Sequence, residues 1–67
     1  MKIKYFQDTD TALIEFSQKE VNETREVSEN IYVDIDSKGD LVSMTIEHAK
    51  STGALKSLSY EEIDKPA

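Results

Sequence analysis

Cysteine and tryptophan are absent from this chain, histidine and proline occur once each, and glycine occurs twice. Without cysteine there is no disulfide and no thiolate-held zinc to staple a small fold. Gly39 and Gly53 stand too far apart to form a glycine-rich phosphate loop. No serine sits in a Gly-x-Ser-x-Gly elbow, so nucleophilic hydrolysis finds no support. His48, beside Glu47, has no second histidine to complete a metal site or a catalytic pair, and reads as a strand-end residue. No run approaches the ~18 consecutive apolar residues of a membrane span. The N-terminus lacks the apolar core of a signal peptide, so the expected location is cytoplasmic.

Basic charge is scarce as well. Eight Lys and Arg stand against 14 Asp and Glu, a formal net charge of −6. The lysines are scattered, at positions 2, 4, 19, 38, 50, 56 and 65, and form no basic patch. Such a surface repels phosphate backbones and anionic lipid, so neither nucleic acid nor membrane is an expected partner. A basic protein is the complementary one. Size adds a further bound, because a 67-residue chain buries only roughly 60% of its unfolded surface. Small unstapled scaffolds turn to oligomerisation, and a homodimer is the expected state. Ligand pockets typically enclose ~300–1,000 Å³, space that a monomer of this size scarcely has, so no enzyme activity is expected.

What the chain does have is alternation. Ile31, Val33 and Ile35 share one face of an extended run, as do Val42, Met44 and Ile46. Pairing Ile35 with Val42, Val33 with Met44 and Ile31 with Ile46 puts all six on one side, with residues 37–40 as the loop. Earlier in the chain, Ile3 and Tyr5 alternate with lysines, and Ala12, Ile14 and Phe16 form a second run. Pairing Tyr5 with Ile14 and Ile3 with Phe16 gives another hairpin, with residues 8–11 as its loop. Between the hairpins, Ser17 and Glu20 fit a capping box, yet only Val21 and Val27 are apolar. A loop followed by a strand over 24–28 suits this segment better. Its glutamates at 20, 23, 26 and 29 then form a solvated edge that discourages aggregation. After Ser51, Thr52 and Gly53 break the pattern, a second capping box at Ser59 and Glu62, with Ile63 following and Pro66 as a stop, predicts a short helix.

The expected fold is therefore α+β but mostly β: a four- or five-stranded antiparallel meander sheet with a short C-terminal helix. One domain spans 1–67, with the sheet over 1–50 and a helical tail over 51–67. Ile3, Tyr5, Ile14, Phe16, Val33, Ile35, Val42, Met44 and Ile46 share a face too broad for a helical turn or two to cover. A second copy of the sheet is the expected cover.

Particular residues also resemble a family. The opening Met1-Lys2-Ile3-Lys4-Tyr5, Asp10 ahead of Ala12-Leu13-Ile14-Glu15-Phe16, and Val21-Asn22-Glu23-Thr24-Arg25-Glu26-Val27 are similar to the YuzE-like bacterial proteins. So are the hairpin Val33-Asp34-Ile35-Asp36-Ser37-Lys38-Gly39-Asp40-Leu41-Val42 and the segment Ile46-Glu47-His48-Ala49. That family is catalogued as domain of unknown function 2283. Phe6, Ser43 and Thr45 depart from its usual Asp, Gly and Glu, which weakens any single obligatory acidic site. The resemblance implies a small β-rich protein without an established activity. Relatives beside small toxin-like proteins imply an antitoxin-like, partner-binding role.

The acidic loops carry the one chemical alternative. In a meander the first and third turns lie at the same end, which would gather Asp8, Asp10, Asp36 and Asp40, with Asp34 one step below. Clustered carboxylates are the usual oxygen ligands of Ca²⁺, Mg²⁺ or Mn²⁺. The competing reading is that each aspartate serves its own turn. Residues 34–39 open like a calcium loop, but Lys38 at its fifth position and Thr45 at its twelfth are not the ligands an EF-hand needs. The leading expectation is a non-catalytic acidic protein-interaction module, and the alternative is a cation- or small-ligand-binding protein.

Overall fold

The computed structural model describes residues 1–65. Five strands, β1 (Lys2–Phe6), β2 (Thr11–Glu15), β3 (Glu23–Ser28), β4 (Ile31–Ile35) and β5 (Leu41–Ile46), form one antiparallel sheet in the order β1-β2-β5-β4-β3. The expected antiparallel, mostly β architecture is present, but it is not a meander. β5 inserts beside β2, and β3, expected next to β2, lies at the far edge. The run β3-β4-β5 followed by β2 is a Greek key. Composition accounts for this placement. Every residue of β3 is exposed, and a central position would bury its glutamates. β2 and β5 carry the apolar and small residues that a sheet centre takes, and Ala12, Val42 and Ser43 are buried there.

The β4–β5 hairpin keeps two of the three expected pairs, Val33 with Met44 and Ile31 with Ile46. Ile35 pairs instead with Leu41, because a bulge intervenes after Asp34. The first hairpin pairs Ile3 with Ile14 and Tyr5 with Ala12, two residues from the expected register. Its loop is therefore 7–10, closed by Asp10 at a φ of 55°, a left-handed conformation that Asp tolerates better than most residues. A two-residue slip preserves the face of every side chain, so the apolar face survives it.

Ile3, Ile14, Met44 and Val33 make one row across that face, and Tyr5, Ala12, Ile46 and Ile31 make a second. The opposite face carries Lys4, Leu13, Thr45 and Tyr32 in one row, and Lys2, Glu15, Ser43, Asp34 and Thr24 in another. Among the described residues the buried hydrophobic side chains are Ala12, Val42 and Ala49, and no large side chain is fully buried. A single sheet without a second layer has no inside of its own.

The expected C-terminal helix is absent among the described residues. Residues 47–53 form turns, and Leu58, Tyr60 and Ile63 are exposed. The capping box lacks the apolar stripe that would dock a helix, and isolated helices below ~12–15 residues are marginal in water. Pro66, read as the stop of that helix, lies outside the described residues.

Gly39 holds a φ of 87° in the β4–β5 turn, and a Cβ built there meets nothing within 4 Å. Gly39→Ala therefore incurs only the left-handed backbone penalty, about 1–2 kcal/mol. Urea unfolding reads this as a lower midpoint at unchanged slope, and an unaltered midpoint would contradict the turn geometry.

Candidate functional site

The alternating strand directions set which turns share an end. The β1–β2 loop, the β3–β4 turn and residues 47–53 meet at one end, where Glu47 N donates to Asn30 O and Ala49 N to Asp10 O. The β4–β5 turn and the connection 16–22 occupy the other, where Phe16 N and Ser17 N donate to Val42 O and Asn22 N to Ile35 O. Asp8 and Asp10 therefore stand at the opposite end of the sheet from Asp36 and Asp40. Asp34, paired with Ser43, lies near the latter on the polar face. The single acidic pole assumed a meander in which the β4–β5 turn is the third; because β3 is a strand too, that turn is the fourth and lies at the other end. Among the described residues no three His, Asp or Glu side chains are grouped to hold a metal ion.

Each inward carboxylate has local work. Asp10 accepts from the Tyr5 hydroxyl (2.7 Å), Lys50 N (2.9 Å), Ser51 N (3.0 Å) and Ser51 Oγ (2.6 Å). It thereby ties residues 47–53 to the first hairpin. The Ser51 hydroxyl, the Tyr5 hydroxyl and the Lys50 amide hold its carboxyl far below the ordinary carboxylate range. The same contact raises the Tyr5 phenol. Lys50 Nζ lies 4.6 Å from the centre of the Tyr5 ring, adding a cation–π contact to the latch.

Asp36 caps its own turn. Its Oδ1 accepts from Lys38 N and Asp40 N, both at 2.9 Å, and Gly39 N donates to its carbonyl at 3.1 Å. The Asp40 amide, with Lys38 N and the charge of Lys19, lowers its carboxyl against the opposing effect of desolvation. Lys19 Nζ, on the connection, stands 3.8 Å from Asp36 and 3.9 Å from Asp40. On the polar face Asp34 accepts from Thr24 Oγ1 on β3 and from Ser43 Oγ at 2.6 Å on β5. Asp34 thus joins three strands. Asp8 and Asp40 remain exposed.

Sequence reasoning missed Ser43, Thr24, Ser51 and Lys19 as the partners of these aspartates. Ser43 and Thr24 follow from the correct register, because both lie opposite Asp34. Ser51 comes from a turn and Lys19 from the 16–22 connection, and neither carries a periodic signal. His48 is exposed, and its φ of 54° gives it a place in the 47–53 turn, where its carbonyl accepts from Thr52 N and Thr52 Oγ1. The hollows are slight. The larger ones, at the end with the connection, hold about 220 and 230 Å³, against ~300 Å³ or more for typical ligand pockets.

The broadest uncommitted feature is the apolar face itself. Ile3, Tyr5, Ile14, Ile31, Val33, Ile35, Met44 and Ile46 are half-buried there, and among the described residues no second sheet or helix lies over them. Glu23 and Arg25 on β3 mark its charged border, paired at 2.7 Å. The guanidinium lowers the Glu23 carboxyl, and the carboxylate raises Arg25 in turn.

Fold and site together define a small, single-sheet β protein in which Asp10 and Asp36 hold turns, Asp34 joins strands, and the apolar face is uncommitted. Residues 2–50 match the model of a family described as "Protein of unknown function (DUF2283)". The chain belongs to that family. No curated protein and no solved structure matches the chain.

The Asp10 latch makes a pH prediction. A carboxyl lowered on folding contributes stability above its unfolded value, ordinarily 3.8, and that contribution is lost as pH falls through the folded value. Asp10→Asn should lower Tm at pH 7 and speed hydrogen exchange at the Lys50 and Ser51 amides. The difference in Tm between the variant and the unaltered chain should shrink as pH drops below 4. A difference constant from pH 7 to pH 2 would contradict the latch.

Proposed function

We propose that this chain is a non-catalytic, acidic protein-interaction module. The observation that carries the reading is the apolar sheet face, whose large side chains are only half-buried. Contiguous apolar surface that folding leaves only partly removed from water is a candidate association site. The net charge of −6 sets the complementary partner as a basic polypeptide, because opposite potential steers encounter and like charge opposes it. Exposed Glu20, Glu23, Glu26 and Glu29, on and beside β3, place part of that charge along an outer edge. An antitoxin-like role would be one instance of such binding.

Affinity capture in the native cell tests the reading with two baits, the unaltered chain and a Glu26→Lys, Glu29→Lys double variant. The expected outcome is one dominant basic polypeptide, retained by the first bait, lost at high salt and weakened with the second. Capture of no polypeptide, or equal capture by both baits at every salt concentration, would count against the proposal.

A further inference from the structure

We infer that the apolar sheet face is a self-association surface, and that two copies of the chain pack these faces together as a two-layer β-sandwich. The inference rests on the reading of that face as an interaction surface and names its occupant.

Area is the first argument. A folded monomer of 7.6 kDa exposes about 4,300 Å² by the usual scaling with mass. This chain exposes 5523 Å², an excess of about 1,200 Å². Its unfolded form would expose about 11,000 Å², so folding alone hides only about half. Part of the excess belongs to the extended tail, where Leu58, Tyr60 and Ile63 are exposed. The rest of the excess is spread over the sheet, against about 800 Å² that a standard interface removes from each partner. The radius of gyration agrees, at 13.8 Å against about 11 Å for a compact domain of this length.

The chemistry of the face is the second argument. The rows Ile3–Ile14–Met44–Val33 and Tyr5–Ala12–Ile46–Ile31 contain no charged side chain across four strands. The Lys50 ammonium, 4.6 Å from the Tyr5 ring, stands at one corner, and the rest of the surface is matched by another that is equally broad and apolar. A second copy supplies that surface whenever the chain is made. Two sheets facing each other at ≈10 Å interdigitate their inner side chains into a shared core. Charge does not oppose the approach at the border, because Glu23 and Arg25 already neutralise each other there. The acidic edge and the polar face then point outward, free for a different partner.

The experiment uses the full chain in two linked measurements. Light scattering gives the molar mass over a hundredfold concentration range, and Tm is read at each concentration. Contacts between isotope-labelled and unlabelled chains in a mixed sample are then mapped by filtered NMR. The expected result is twice 7.6 kDa, a Tm that rises with concentration, and intermolecular contacts from the Met44 methyl to Val33, Ile14 or Ile46. Val33→Glu should halve the mass or unfold the chain. The NMR contacts keep the test decisive if it unfolds. A dimer whose contacts lie only along β3 or the tail would overturn the inference.

A monomer at every concentration would overturn it as well. If the Met44 methyl of that monomer is solvent-exposed, self-association fails while the interaction-module reading stands. If it touches Leu58, Tyr60 or Ile63 of its own chain, the tail is the cover and both readings fail.

Discussion

The pairing of β2 with β5 turns two hairpins into one sheet, and nearly every other feature follows from it. Ala12 faces Ile46, Ile14 faces Met44 and Glu15 faces Ser43 across that junction. The pairing merges two apolar half-faces into one continuous face and two polar half-faces into the other. β3 is displaced to the far edge, where its exposed glutamates stay solvated. The 16–22 connection must then pass beneath the β4–β5 turn, which brings Lys19 to Asp36 and Asp40. The upper turns are drawn together too, so that Asp10 reaches residues 50 and 51.

The aspartates are best understood from this junction outward. Asp10 latches the segment after β5 to the first hairpin, Asp36 caps the β4–β5 turn, and Asp34 bridges β3 and β5 through two hydroxyls. A small sheet with no disulfide and, among the described residues, no fully buried large side chain relies on such directional contacts for its turns. They order the backbone, yet they leave the apolar face only half removed from water. Interaction with another polypeptide layer is the physical complement of that deficit.

Much of the local structure was legible in the sequence. Alternation identified the strands, and the Val33–Met44 and Ile31–Ile46 pairs followed from turn length and face. The first hairpin was misregistered because a slip of two residues leaves the apolar pattern unchanged. Asp10 breaks that degeneracy through its left-handed backbone and its contacts with Tyr5 and Ser51, which no periodicity encodes. Strand order was harder to read, since β2 and β5 pair across a long stretch of sequence. The proposed acidic pole took the β4–β5 turn as the third, and the strand β3, whose glutamates carry no apolar alternation, makes it the fourth and moves it to the other end. The expected C-terminal helix took its signal from a capping box alone, without an apolar stripe to hold it. Ser43 finds its role only once the register sets its hydroxyl against Asp34.

The account's central claim is that the apolar face is covered in the native assembly, and the chain's two methionines allow a direct measurement. Met44 lies in the middle of that face, whereas Met1 is 77% exposed. With a soluble paramagnetic probe added to concentrated protein, the two methyl signals can be followed together. The account predicts that Met1 is bleached while Met44 keeps its intensity, and that dilution makes Met44 progressively accessible. Equal bleaching of both methyls at every concentration would contradict it.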